Sequence, residues 1–192
     1  MQQLTDEEVM LKYKQGLGEA MDELVRRYKN PLYHFAYRLS QDAALAQDTV
    51  QEVFLRVHTQ RHVYIPSGKF STWIFSICHN LIMSQLRRTK WYLPWPTRND
   101  ESGELIEFAS PDPSPRDVLE KNEMSEILNT CIQGLSFLQK EALILREFHN
   151  LDYKEISTIL NKSLSTVKIL IHRARIALKN KMLPYLQEDG NV

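Results

Sequence analysis

Apolar residues recur every three or four positions along most of the chain, which is the spacing of one face of an α-helix. No stretch shows the alternation of apolar and polar residues that is typical of a half-buried strand. The clearest helical pattern lies in the segment 42–62, where a single apolar stripe indicates one buried face. Its members are Ala46, Val50, Val53, Phe54 and Val57. The pattern therefore predicts an all-α protein.

Short local signals mark the helix ends in the first half of the chain. Thr5 and Glu8 have the spacing of a capping box, so a first helix is expected to begin here and to end near Gly16. Proline has no backbone N–H to donate, so Pro31 is expected to stop a second helix. Pro66 and Gly68 together predict a loop. The predicted helices cover about 5–16, 19–30, 32–39, 42–62 and 70–88.

The segment from about residue 90 to 115 has a different character. It contains five prolines, and from Asn99 to Asp117 six acidic residues accompany a single base, Arg116. Proline at this density prevents a helix, and the low apolar content prevents a core. We therefore expect two small helical domains, residues 1–90 (four to five helices) and 117–186, joined by a flexible acidic linker over 91–116.

The stretch 153–168 predicts a helix-turn-helix. Ile156 and Leu160 share one face of a short helix, and Asn161 stands where the turn needs a left-handed residue. Ser163 or Ser165 is expected to cap a second helix. That helix would bury Val167, Ile171, Ala174 and Leu178, and would expose Thr166, Lys168, His172, Arg173, Arg175 and Lys179. Short polar residues followed by cations suit base edges and phosphates, although an ordinary hairpin with a solvated basic face fits the same pattern.

Two further helices carry polar faces that could bind another protein or a nucleic acid. Asp48, Gln51, Glu52 and Leu55 lie at helical spacing away from the apolar stripe, so they could dock on another protein, although a single exposed leucine is also common. In the helix predicted from Phe70 to Arg88, aromatic residues next to polar ones could hold unstacked bases, or could simply be core. Its outward face carries Ser76, Asn80, Met83 and Arg87.

Charge is unevenly distributed, although the net charge of this 192-residue chain is zero. Five bases and no acid occur from Ser165 to Lys181, which favours a polyanionic partner. The start of the chain lacks the parts of a signal peptide, and no apolar run approaches the roughly 20 residues of a membrane span, so a cytoplasmic protein is expected.

The sequence offers little that is typical of an enzyme or a metal site. Cys78 and Cys131 stand alone, without the spacing of a zinc site or a disulfide framework. His58 and His62 lie four apart, but no glutamate stands between them, so the zinc-protease pattern is absent. No glycine-rich phosphate loop occurs. We therefore expect no catalytic residue, no cofactor and no metal.

Taken together, these stretches resemble the bacterial sigma factors of the extracytoplasmic-function (ECF) group, over about 23–90 and 127–182. The segment 48–54, Asp-Thr-Val-Gln-Glu-Val-Phe, resembles the family's motif for binding core RNA polymerase. The segment 70–74, followed by Ile77, Asn80 and Leu81, resembles its helix for the promoter −10 element. Val167-Lys168 with 172–175 resembles its −35 recognition helix. All three motifs in this order, with this gap, are strongly specific.

The resemblance implies an alternative sigma factor that binds core RNA polymerase and reads promoter DNA. Asp48, Gln51, Glu52 and Leu55 would dock on the clamp helices of the β′ subunit, and the second domain would rest on the β flap. The melted −10 strand would contact Lys69, Phe70, Trp73, Ser76, Asn80, Arg87 and Arg88. The −35 duplex would contact Ser163, Ser165, Thr166, Lys168, His172, Arg173 and Arg175. An anti-sigma protein, often membrane-bound in this family, is a further implied partner.

The sequence departs from the family at several places. Asn161 and Ser165 stand where glycine is usual, and Ile169-Leu170 replaces a usual Ser-Arg pair, which removes a phosphate contact. Ala44, Leu45 and Gln47 occupy positions that are commonly acidic. A stand-alone helix-turn-helix regulator is the alternative from the residues alone, and it would bind DNA without core polymerase. An interaction protein with an incidental helix-turn-helix would bind no DNA at all.

Overall fold

The computed structural model describes residues 4–91 and 117–188, and in these ranges the protein consists of eight α-helices joined by loops, with no strand. This confirms the all-α prediction; the predicted linker, apart from its first residue, lies outside these ranges. We call α1–α4 the first module and α5–α8 the second module. The helices are α1 (Asp6–Lys14), α2 (Glu19–Ser40), α3 (Ala43–Gln60), α4 (Phe70–Trp91), α5 (Asp117–Gln133), α6 (Phe137–Glu147), α7 (Tyr153–Leu160) and α8 (Leu164–Glu188).

The first module begins and packs as the apolar pattern predicts. Thr5 and Glu8 form the capping box of α1, each side chain bonding the backbone of the other. The whole predicted stripe of α3, from Ala46 to Val57, is buried. It packs on α2 and α4, which contribute Leu32, Phe35 and Ile74 to the same core. The α3 helix is therefore held by one face, and its opposite face is left for other contacts.

The predicted helix break at Pro31 is wrong. The α2 helix runs without interruption from Glu19 to Ser40 with Pro31 inside it. Proline removes one backbone hydrogen bond here, but Tyr28, Leu32 and Phe35 on either side are all buried on the same helix face. Burying a large apolar side chain contributes about 1.5–3 kcal/mol, so packing on both sides of the proline outweighs the lost bond.

The helix-turn-helix forms in the second module. Asp152 caps α7 through the N–H groups of Lys154 and Glu155, and Glu155 closes the capping box. Asn161 ends α7 in the left-handed conformation (φ 50°), and Ser163 accepts a hydrogen bond from the N–H of Thr166 at the start of α8. Val167, Ile171 and Ala174 are buried and Leu178 is half-buried, so the core face of α8 is confirmed.

The two modules pack directly against each other. The α4 helix contacts α7, and α2 contacts α6. At this boundary the ring of His149 lies 4.7 Å from that of Phe75, and the guanidinium of Arg38 lies 4.1 Å above the ring of Phe148. The sequence predicted only a tether between the modules, so this interface is a finding of the structure. None of the described helices is both long and apolar enough to cross a lipid bilayer.

Candidate polymerase- and DNA-binding surfaces

The face of α3 opposite the core carries the residues predicted to bind core polymerase. Asp48 and Gln51 are exposed, and Leu55 is 55% exposed. Glu52 is half-buried, and its carboxylate lies 3.1 Å from the guanidinium of Arg56. We call these four residues of α3 the polymerase face. Of these four residues, Gln51 lines a groove of about 410 Å³ between α2 and α3.

The outward face of α4 carries most of the residues predicted to bind the −10 strand. Asn80, Arg87 and Arg88 are exposed, whereas Ser76 is half-buried and its hydroxyl donates to the carbonyl of Thr72 at 2.7 Å. Trp73 is half-buried, with its ring 5.0 Å from that of Tyr64. We call the set Lys69, Trp73, Ser76, Asn80, Arg87 and Arg88 the strand face.

The prediction that Phe70 contacts the −10 strand is wrong. Its side chain is fully buried, with ring contacts to Tyr28, Tyr64 and Trp73 at 5.3–6.1 Å. Its N–H donates to the carboxylate of Glu7 at 2.6 Å. Phe70 therefore fixes the start of α4 and supports Trp73 from below, and its ring cannot reach a base.

The loop before α4 holds two residues that the sequence analysis missed. Val63 is 74% exposed and Ile65 is 73% exposed. Between them the ring of Tyr64 turns inward, and burial raises the pKa of its hydroxyl to about 12, so it stays protonated. The exposure of these two side chains could have been predicted from the sequence. Val63 and Ile65 are β-branched apolar residues on either side of Tyr64, in a loop that Pro66 and Gly68 indicate.

The recognition helix presents its polar residues in two groups. At its start the hydroxyl of Ser163 shares hydrogen bonds with the hydroxyls of Ser165 and Thr166, at 2.9 and 2.8 Å. Further along, Lys168, His172 and Arg173 are exposed, whereas Arg175 is bound to Glu147 at 2.6 Å. Ile169 is 49% exposed and Leu170 is half-buried. We call the predicted set from Ser163 to Arg175 the groove face, because it presents donors and cations along one helix.

A cluster of opposite charges joins the strand face to the second module. The ammonium of Lys69 lies 3.1 Å from the carboxylate of Glu155 and 3.6 Å from that of Asp152. The hydroxyls of Ser71 and Thr72 donate to Glu155 at 3.3 and 3.0 Å. The bond to Glu155 raises the pKa of Lys69, and bonds from the N–H groups of Glu155 and Lys154 lower the pKa of Asp152.

The same contact borders an open cleft of about 590 Å³ between the modules. Lys69, Trp73 and Ser76 line it from α4 and the loop, so the structure brings three of the predicted strand contacts together. Asp152, Glu155 and Thr158 line it from α7. The remaining strand residues, Asn80, Arg87 and Arg88, lie further along α4.

Two helical modules, one of them a helix-turn-helix with a cationic recognition helix, have the architecture of a DNA-binding protein. Comparison with known proteins identifies the family of each module. The sigma-70 region 2 family matches residues 24–92, and the sigma-70, region 4 family matches residues 125–178. The chain belongs to the ECF group of RNA polymerase sigma factors. It is an alternative sigma factor, which binds core RNA polymerase and directs promoter-specific transcription. A stand-alone regulator is not favoured.

Individual relatives span nearly the whole chain. The ECF RNA polymerase sigma factor SigW of Bacillus subtilis (strain 168) is 29% identical over 172 residues, which is 88% of this chain and 92% of that protein. SigM of the same organism is 31% identical over 159 residues, 83% and 93% of the two chains. A solved structure of the sigma factor RpoE with the anti-sigma factor NepR from Bartonella quintana shares the fold, with a TM-score of 0.67 at 22% identity, covering 84% of this chain and 95% of that chain.

Proposed function

We propose that the three surfaces described above bind three different targets of the sigma factor: core polymerase, the −10 strand and the −35 duplex. Residues 1–90 form a domain that binds core polymerase through the polymerase face and the melted −10 strand through the strand face. Residues 117–186 form a domain that reads the −35 element through the groove face and rests on the polymerase flap, and 91–116 link the two. The observation that carries the proposal is that the three sets of polar residues lie on, or directly before the start of, three separate helices, each anchored by a buried opposite face.

The −10 strand would be captured by the first module with binding energy alone. Opening and flipping a base costs a few kcal/mol. The amide of Asn80 can hydrogen-bond a base edge, Trp73 offers a stacking surface, and Arg87 and Arg88 can bind phosphates. The polymerase supplies the chemistry of transcription, so we assign the protein a binding role and no covalent step of its own.

The −35 element would be read by the groove face of α8 in the major groove. Ser165 and Thr166 stand at the start of the helix, where short side chains reach base edges, and Lys168 and Arg173 can bind phosphates on either side. Ile169 stands where the family carries a polar residue, so it can offer an apolar contact in its place.

An anti-sigma protein is the further partner that we propose. The structural neighbour RpoE is bound to the anti-sigma factor NepR, and this chain shares its fold. The exposed apolar side chains of Leu55 and Ile169 lie on different modules, so a protein that covered both would block polymerase and DNA binding together. All of these partners meet the protein where the polymerase and the chromosome are, in the cytoplasm.

Site-specific crosslinking tests the assignment of the three surfaces. A photoreactive amino acid is placed at Leu55, Asn80 or Lys168, and the holoenzyme is assembled on a promoter that it transcribes. We expect position 55 to crosslink to the largest polymerase subunit, position 80 to the non-template −10 strand, and position 168 to the −35 duplex. The exposed Glu126 on α5 is the control position. A crosslink from position 80 to polymerase alone, or from position 168 to no DNA, contradicts the assignment.

A further inference from the structure

The first helix of the chain, α1, caps the start of α4. The N–H of Phe70 is one of the first four of α4, which have no partner inside their own helix. It donates to the carboxylate of Glu7 at 2.6 Å, from 63 positions away in the chain. Helices usually take such a cap from an adjacent residue, and a negative charge is favourable here because the helix dipole attracts it. Glu7 therefore helps to fix where α4 begins.

A second bond from α1 holds the loop before α4 at its other end. The ammonium of Lys14 donates to the backbone carbonyl of Tyr64 at 2.8 Å. The side chain of Tyr64 is buried, as is that of Phe70, whereas every residue between them, 65–69, is exposed. The exposed part of the loop is therefore fixed at both of its ends by bonds to the same helix.

The two residues that α1 binds are also the ones on which Trp73 packs. The ring of Trp73 lies 5.0 Å from that of Tyr64 and 5.6 Å from that of Phe70. Trp73 is half-buried and is the stacking surface of the strand face. Stacking depends on the orientation of the ring, and a binding group must be held to within about 0.5 Å to act well. A shift of Tyr64 or Phe70 would therefore misplace the indole.

The α1 helix is itself firmly attached to the first module. Val9 and Met10 are fully buried. The carboxylate of Asp6 lies 2.6 Å from the guanidinium of Arg27 and accepts a hydrogen bond from the hydroxyl of Tyr28. These contacts place α1 independently of its bonds to the loop, so it can hold the loop in position. The helix also lies before residues 24–92, the part of the chain that matches the sigma-70 region 2 family.

We propose that Glu7 and Lys14 are positioning residues for the −10 strand, which hold Phe70 and Tyr64 so that the Trp73 indole is oriented to stack on an unpaired base. This proposal rests on the proposed function of the strand face. Glu7 and Lys14 bond backbone groups of the protein and act on DNA only through Trp73. Their loss weakens binding of the melted strand, and it leaves binding through α3 and α8 unchanged.

Tryptophan fluorescence tests the positioning step in the full chain without DNA. Trp91→Phe and Trp95→Phe leave Trp73 as the only tryptophan of the chain, and this background protein is the reference. We expect Glu7→Ala to raise the acrylamide quenching constant of Trp73 at least twofold, because the indole loses its support. Glu7→Gln retains an acceptor for the N–H of Phe70 and should stay near the reference. An unchanged quenching constant in Glu7→Ala overturns the proposal, whatever the affinity for DNA.

Binding by the holoenzyme tests the consequence for the −10 strand. The probe is a short forked promoter fragment with a single-stranded non-template −10 element and no −35 element. We expect Glu7→Ala and Lys14→Met each to lower the affinity for this probe about tenfold. The affinities for core polymerase and for a separate −35 duplex should change less than twofold. Glu8→Ala is the matched control, since Glu8 is an exposed acid of the same helix whose bonds go to Thr5.

The outcomes separate this proposal from the function on which it rests. If the wild-type holoenzyme binds the forked probe and Glu7→Ala binds it equally well, the strand face stands and only the positioning role is overturned. An equal loss in Glu8→Ala also overturns that role, because the stability of α1 would then explain the effect. A matching loss of affinity for core polymerase overturns it too, since the whole module would be affected. If the wild-type holoenzyme does not bind the forked probe, the strand-face assignment fails and the positioning role is overturned with it.

Discussion

The imidazole of His79 on α4 meets the carboxylate of Glu141 on α6, so one buried polar pair joins the two modules of the protein. Glu141 is fully buried, and its second carboxylate oxygen has no hydrogen-bond partner among the described residues. A carboxylate in such a place depends on its single partner, because burial of an unpaired charge is strongly unfavourable. The pair therefore makes module docking sensitive to a change at either residue.

A double-mutant cycle is expected to show strong coupling between His79 and Glu141. His79→Leu alone leaves Glu141 buried without its partner and should cost about 3 kcal/mol of unfolding free energy. The double variant with Glu141→Leu should cost less than the sum of the two single changes, with a coupling of about 1–3 kcal/mol. Urea unfolding measures all four proteins, and additive single effects would show that the pair is energetically unimportant.

Leu55→Asp is expected to weaken binding to core polymerase without destabilising the fold. The side chain is 55% exposed, so the free energy of unfolding should change by less than about 0.5 kcal/mol. Affinity for core polymerase should fall at least tenfold, about 1.4 kcal/mol, because a charge would replace an apolar anchor. Leu17→Asp, which also replaces an exposed leucine of the first module, is the control. Equal losses in both variants would contradict the assignment of the polymerase face.

Arg173→Ala should weaken −35 binding more than Arg175→Ala does. Arg173 is exposed and makes no ion pair with any described residue, whereas Arg175 is held by Glu147 at 2.6 Å. Loss of one phosphate contact should lower the slope of log affinity against log salt by about 1. Salt titrations of duplex binding by the holoenzyme measure this slope. Glu147→Gln should strengthen −35 binding, the opposite of Arg175→Ala, because it frees that arginine. An equal loss of −35 affinity in all three variants would contradict phosphate contacts by Arg173 and Arg175.

His149 is expected to make the docked protein less stable in mild acid. Burial, followed by the charges of Arg38 and His34, lowers its pKa to about 4 from an ordinary 6.5, so the unfolded chain takes up a proton before the folded one. The stabilisation is complete above pH 6.5 and is lost as the pH falls toward 4, by on the order of 2–3 kcal/mol.

His149→Leu provides the comparison that isolates this effect. The variant removes a buried ring nitrogen that has no hydrogen-bond partner among the described residues, so it should be at least as stable as wild type at pH 7. Thermal unfolding of both proteins from pH 7 to pH 4 should show the difference growing as pH falls. Carboxylates such as Glu23, whose pKa Arg26 and Arg27 lower to about 2, also make stability depend on pH, but they are common to both proteins. Curves of stability against pH that run parallel would therefore contradict a neutral buried His149.

Local signals in the sequence predicted several of the helix ends correctly. The capping box at Thr5 and the left-handed Asn161 depend only on residues within one turn, so they could be read directly. The break at Pro31 was predicted wrongly, because the proline rule is local while the packing of Leu32 and Phe35 that overrides it is not. Local rules therefore succeed where no distant residue competes with them.

Contacts between the modules could not be predicted in this way. Glu155 has a complete local explanation as the closing residue of a capping box, and nothing in its surroundings indicates that Thr72 also bonds it from more than 80 positions away. Phe70 shows the same limit, since an aromatic residue at the start of a DNA-binding helix suits stacking on a base or packing in a core equally well. The sequence shows which interactions a side chain can make, and only the fold shows which of them it makes.

Run-off transcription by purified core RNA polymerase on a promoter library tests the sigma-factor assignment most directly. The account predicts transcripts from a specific set of promoters that appear only when the protein is added. They should disappear with Asn80→Ala, which removes a base-edge contact of the strand face, and with Glu52→Arg, which reverses a charge of the polymerase face. An absence of protein-dependent transcripts, together with no binding to core polymerase, would contradict the account. Transcripts that both variants leave unchanged would contradict the surfaces assigned to it.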